Sequence, residues 1–308
     1  MLRRALLAAA ASERMHRAIT AAPQARAIVG RYVAGETTGD AVRAARRLRH
    51  AGLLVSLDYL GEDTTEPHHA EAVTAEYVRL LGELSAAGLS AGGTAEVSVK
   101  PTAVGLFLPG SGEKTATANI ERICAAARDA GTTVTLDAEN HAAIGPTLRI
   151  ASELRAGFGD LGCVVQARLR RSAADCRELA SAGARVRLCK GAYSEPAEEA
   201  YTSRHEVDLS FARCMRLLMN GAGYPMIATH DPRLIEIAGA LALLSGRSPG
   251  SFEYQMLHGI RPEEQRRLAA AGARVRVYVP YGSDWYGYLV RRLAERPGNL
   301  AFFLRSLR

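Results

Sequence analysis

From Leu53 onward, short apolar or β-branched runs alternate with longer stretches of helical character. The short runs are LLVSLD (53–58), AEVSVK (95–100), TVTLD (133–137), GCVVQ (162–166), RVRLCK (185–190), YPMIATH (224–230), SFEYQ (251–255) and RVRVYV (274–279). Each has the length and composition of a strand. Between them lie Ala-, Leu-, Arg- and Glu-rich stretches long enough for a crossover helix, for example 66–87, 116–130 and 195–220. Several close on Ala-Gly, at Ala87-Gly88, Ala130-Gly131, Ala182-Gly183 and Ala271-Gly272, where glycine suits the left-handed residue that ends a helix. Eight such units predict an α/β fold, a (βα)8 TIM-type barrel. The barrel is expected over residues 51–308, with residues 1–50 as an N-terminal helical segment packed on it.

Chemistry in such a barrel gathers at the C-terminal ends of the strands. Those ends carry Asp58, Lys100, Asp137, Gln166, Lys190, His230, Gln255 and Tyr278. A single polar residue there can merely finish a strand. The full set describes a site lined by positive, negative and hydrogen-bonding groups.

Composition narrows the class. With 308 residues and 48% hydrophobic content, the chain can bury one large core. The apolar run 5–11 follows Arg3 and Arg4, but Glu13, Arg14 and Arg17 continue at once, as in a solvated helix rather than an export signal. No stretch reaches the length of a membrane span. The five cysteines include no C-x-x-C pair, which points to free thiols in a reducing compartment and a cytoplasmic protein. His68-His69 lacks a matching ligand set, so no metal is expected. The net charge of +7 is spread along helices beside glutamates, as at Arg266 and Arg267 after Glu263 and Glu264. No nucleic-acid partner is expected from that distribution.

Two nucleotide motifs fail on context. Gly157-Phe-Gly159-Asp-Leu-Gly162 spells G-x-G-x-x-G, but it follows a helix and enters a strand, the reverse of the dinucleotide fingerprint. Gly110-Ser-Gly112-Glu-Lys114-Thr115 lacks the spacing of a phosphate loop.

Near the C-terminus, Tyr288, Arg291, Arg292 and Glu295 fall at i, i+3, i+4 and i+7, one polar stripe on a helix directly after the last strand. Two arginines beside a tyrosine suit a carboxylate, which the planar guanidinium grips in bidentate fashion, and Lys100 offers a third positive contact.

In sequence order, VSVKP (97–101), LDAE (136–139), VVQA (164–167), VRLCKGAY (186–193), ATHD (228–231), FEYQMLHG (252–259), RVYVPYG (276–282) and YLVRRLAE (288–295) resemble the signature blocks of the proline dehydrogenase family, and LDYLGE (57–62) resembles its entrance segment. The resemblance implies an FAD-dependent enzyme that oxidises L-proline to Δ1-pyrroline-5-carboxylate. By position it implies that Lys100, Arg291 and Arg292 hold the proline carboxylate, and that Asp137, Tyr193, Leu257, Tyr278 and Tyr288 shape the rest of the pocket. The flavin is implied to lie against Ala138, Gln166, Arg187, Lys190, Gly191, Ala192, Thr229 and His230, with Arg187 near its N5 and Asp137 and Arg187 in catalytic roles. Glu62 resembles the gating carboxylate that pairs with the first arginine of the tandem, here Arg291. A membrane quinone is the implied electron acceptor, and the chain resembles the monofunctional form, whose product passes to a separate pyrroline-5-carboxylate dehydrogenase. Peripheral docking at the inner face of the cell membrane is left open.

Two alternatives remain at this point. Lys100 and Lys190 both sit at strand ends, where a desolvated lysine serves a Schiff-base aldolase. A hydroxyproline-preferring relative is the second, although Tyr278 stands where such relatives carry a small residue.

Overall fold

The computed structural model describes residues 29–193 and 195–289. In chain order the elements are α1 (Thr38–His50), β1 (Leu54–Tyr59), α2 (Pro67–Ala86), β2 (Ala95–Val99), α3 (Gly112–Asp129), β3 (Val134–Leu136), α4 (His141–Leu154), β4 (Gly162–Gln166), α5 (Ser172–Ser181), β5 (Arg185–Cys189), α6 (Arg204–Asn220), β6 (Tyr224–Ala228), α7 (Pro232–Leu244), β7 (Glu253–Leu257), α8 (Pro262–Ala270) and β8 (Val275–Tyr281). The eight strands close into a barrel in sequence order, and β1 pairs in parallel with both β2 and β8. The predicted (βα)8 barrel is the observed architecture.

Residues at alternate strand positions divide the barrel into two environments. Val55, Leu57, Val97, Val99, Val186, Leu188, Val277 and Val279 are buried with the apolar faces of the helices. The opposite set is polar: Ser56, Glu96, Ser98, Thr135, Arg187, Glu253, Gln255 and Arg276 are buried among one another inside the barrel. A parallel sheet covered on both faces ordinarily reads as continuous apolar runs. Here the interior is built of charges and hydroxyls instead.

Two details differ from the sequence reading. The stretch 195–220 supplies a helix only from Arg204, where Ser203 and Glu206 form a reciprocal capping box. The residues before it fold back, with Ala200 bridging Leu169 in antiparallel fashion and Tyr201 N–H donating to Arg168 O. Gln255 and Tyr278 lie within their strands rather than at the ends, since β7 runs on to Leu257 and β8 to Tyr281. The G-x-G-x-x-G segment is the loop from α4 into β4, as read. The four Ala-Gly glycines all take positive φ, from +66° to +86°.

Helix α1 packs against β1, β8 and α2, on the outer side of the barrel. After β8 the chain crosses the C-terminal mouth, where Trp285, Tyr288 and Leu289 bury against Tyr32, Val33 and Leu60. Among the described residues, no helix is long and apolar enough to cross a membrane.

Candidate functional site

Arg187 sits at the centre of the barrel, 4% exposed. Its Nε donates to Gln255 Oε1 at 2.5 Å, one terminal nitrogen to Ser98 Oγ at 2.8 Å and Asp137 Oδ1 at 2.6 Å, and the other to Ser56 Oγ at 3.1 Å. The Tyr278 ring stacks on the guanidinium, 5.2 Å from its centroid, and the phenol donates to Asp137 Oδ2 at 2.7 Å. Burial, and then the Asp137 charge, push the Tyr278 hydroxyl well above its usual range, so it stays a donor. Side chains from β1, β2, β7 and β8, with Asp137 at the end of β3, therefore converge on one guanidinium.

One layer toward the N-terminal end, Arg276 meets Glu253 at 2.6 Å and Glu96 at 3.6 Å, and Arg185 meets Glu96 at 2.9 Å. Burial drives the Glu96 carboxyl upward, but Arg276, Arg185 and Arg187 outweigh it and hold it at about 2. Glu253 also accepts from Gln255 Nε2 at 2.6 Å, which links this layer to the Arg187 cradle. Sequence reading missed Ser56, Ser98, Glu96, Glu253 and Arg276. The signal was present in the alternation S-x-D, E-x-S-x-K and R-x-R-x-Y of β1, β2 and β8.

Toward the C-terminal mouth, Lys100 pairs with Asp58 at 2.5 Å, both buried. Burial alone lowers the Lys100 ammonium, but Asp58, with Asp137 behind it, reverses this and the net shift is upward. Burial also raises the Asp58 carboxyl, against the pull of Lys100. The contact geometry favours an ionised pair. Glu62, Lys100 and Tyr288 line a cavity of about 210 Å³ together with Leu60, Gly61, Asp284 and Gly287. The Tyr193 hydroxyl reaches Glu62 Oε2 at 3.3 Å, which joins the end of β5 to the end of β1 across the mouth.

The remaining predicted positions ring the same mouth. Gln166 donates to Glu139 O at 2.6 Å. Lys190 pairs with Asp208 at 2.5 Å and Asp231 at 3.3 Å. Thr229 Oγ accepts from Asp231 N, and His230 Nε2 accepts from Leu257 N at 2.9 Å, so that ring carries its proton on Nδ1. Ala138 packs with Ile144 and Leu169. Gly191 and Ala192 begin the segment after β5. Arg291, Arg292 and Glu295 lie outside the described residues. A larger cavity, about 840 Å³, opens at the opposite end of the barrel beside Arg185, Arg247 and Arg274. Its arginines are spent on structure: Arg247 donates to backbone carbonyls, including those of Leu218, Met219 and Gly223.

The description "Proline dehydrogenase" belongs to the family profile that matches residues 41–305, nearly the whole barrel. The chain belongs to the proline dehydrogenase family. Among curated members of that family, proline dehydrogenase 1 of Bacillus subtilis (strain 168) is 38% identical over 277 residues, covering 90% of this chain and 89% of the relative. The proline dehydrogenase of Deinococcus radiodurans is 37% identical over 279 residues, with the same coverage of 90% and 89%. In fold the chain is similar to the crystal structure of proline utilization A (PutA) from Bdellovibrio bacteriovorus inactivated by N-propargylglycine. That match has a TM-score of 0.80 at 24% identity, over 87% of this chain and 32% of the PutA chain.

Proposed function

We propose that this protein oxidises L-proline to Δ1-pyrroline-5-carboxylate, the first step in breaking proline down to glutamate, with FAD as its redox group. The observation that carries this reading is the buried set of Arg187, Asp137 and Tyr278 beneath the Lys100 side of the mouth, in a chain whose barrel matches the proline dehydrogenase profile. The mouth fits a flavin on its own chemistry. Gly191 has φ +93°, and a Cβ there would fall 2.9 Å from Gln166 Oε1, so only glycine lets the main chain run this close over the strand ends. Gln166, Lys190, Thr229 and His230 surround the same opening with donors and acceptors. These residues, with Ala138, Arg187, Gly191 and Ala192, would hold the cofactor. Bound there, the flavin supplies the hydride acceptor.

The protein's own share is binding, orientation and electrostatics. Lys100, kept charged by Asp58, works with Arg291 and Arg292 on the substrate carboxylate. Tyr193, Leu257, Tyr278 and Tyr288 pack around the ring, with Asp137 fixed between Arg187 and the Tyr278 hydroxyl. Glu62 closes over the site with Arg291 and excludes water. Electrons then pass to a membrane quinone, and the product to a separate pyrroline-5-carboxylate dehydrogenase. The aldolase alternative needs a neutral lysine, and the net upward shift of Lys100 opposes one.

Substrate choice tests the pocket. Steric discrimination by a packed aromatic is worth about 1–3 kcal/mol, so proline is expected to be preferred over trans-4-hydroxyproline by tens to a few hundred fold in kcat/KM. Tyr278→Ser should narrow the gap mainly by losing activity on proline, with circular dichroism confirming the fold. Equal use of both amino acids by the wild-type enzyme would remove Tyr278 from the pocket.

A further inference from the structure

The entrance segment that carries Glu62 is tied to the turn after β2. Its next residue, Asp63, has φ +55°, one of two positive-φ non-glycine residues in the described chain. That conformation costs most residues with a Cβ, aspartate less than others, and here neighbouring groups hold it. The restraint comes from Thr102, fully buried in the turn after β2. Asp63 N–H donates to Thr102 Oγ at 2.9 Å, and Thr64 N–H to Thr102 O at 3.1 Å. Thr102 is in turn held by Glu139, which is 2% exposed at the end of β3. One carboxylate oxygen accepts from Thr102 N at 3.1 Å and the other from Thr102 Oγ. Because the hydroxyl proton goes to Glu139, the lone pairs of Oγ are left to accept from Asp63. A carboxylate can take both Thr102 donors at once.

We propose that Thr102 and Glu139 form a clasp that positions the Glu62 segment over the mouth of the barrel, so that both act as positioning residues for substrate entry. The clasp joins the ends of β1, β2 and β3. Lys100 lies two residues before Thr102 and Asp137 two before Glu139, so the same tie fixes the side of the mouth opposite Tyr193. Its role in proline entry rests on the function proposed above, whereas its effect on residues 61–64 does not.

Thr102→Val removes the hydroxyl at nearly constant volume, and Thr102→Ser keeps it. Losing a buried acceptor should speed amide hydrogen exchange at Asp63 and Thr64 by about tenfold or more, with the serine variant close to wild type. KM for proline should rise about tenfold in the valine variant while kcat stays within about twofold, and serine should restore it. Should the valine variant fail to fold, Glu139→Gln serves instead, since its amide offers one acceptor oxygen where the carboxylate offers two, and faster exchange at the same two amides is expected. Unchanged exchange at 63–64 in a folded valine or glutamine variant would overturn the clasp, as would equal behaviour of valine and serine. An enzyme inert toward proline that still shows the exchange difference would reject the functional reading and retain the clasp.

Discussion

Arg276 shows how a single side chain can commit a barrel interior to charge. It is 2% exposed and stands between Glu253 and Glu96. Burial alone lowers its guanidinium, but those two carboxylates outweigh it and the net shift is upward. Removing one partner from a buried ionic cluster costs about 3–5 kcal/mol, because the charges left behind have no water to return to. Arg276→Met is therefore expected to lose about that much stability in urea unfolding, and a loss below about 1 kcal/mol would show that the network is not coupled as described. Glu139 is a second case. Burial raises its carboxyl to about 7, against the hydrogen bonds from Thr102. It had no assigned role in the sequence reading, although it ends the LDAE motif, because its partner Thr102 is distant in sequence and nothing local marks the contact.

At the level of elements, the helices act as braces for the polar strands. Tyr77 on α2 is fully buried; its hydroxyl donates to Ser98 O at 2.7 Å and accepts from Tyr59 N at 3.1 Å. Tyr77→Phe keeps the packing but leaves both backbone groups unsatisfied, so a loss of about 1–3 kcal/mol is expected in thermal or urea unfolding. An unchanged midpoint would mean that water replaces the hydroxyl. The order of strands and helices was legible from periodicity because the outward faces are apolar and the turns are marked by glycine. Strand ends were less so. The run pattern ends β7 at Gln255 and β8 at Val279, two residues short of each observed end. In this barrel polar residues alternate along the strand, so Gln255 and Tyr278 face inward at mid-height. The composition of 195–203 predicts helix, but the Ser203 cap and the pairing of Ala200 with Leu169 delay the start.

The whole molecule has one organisation: a barrel whose interior is charged, with Arg187 at the centre and a mouth that gathers Lys100, Tyr193, Glu62 and Tyr288. The residues around that mouth were named from motifs, and the fold brings those within the described residues to the same end of the barrel. Their ionic partners, Asp58 for Lys100 and Asp208 with Asp231 for Lys190, depend on strand register and helix placement that motif order does not encode. The most direct test of the central claim is the visible absorption spectrum of the purified protein, reconstituted with FAD where necessary, before and after anaerobic addition of L-proline. Flavin bands that bleach with L-proline and persist with D-proline or alanine are expected. A protein that takes up no flavin, or whose flavin bands remain unchanged at saturating L-proline, would contradict that claim.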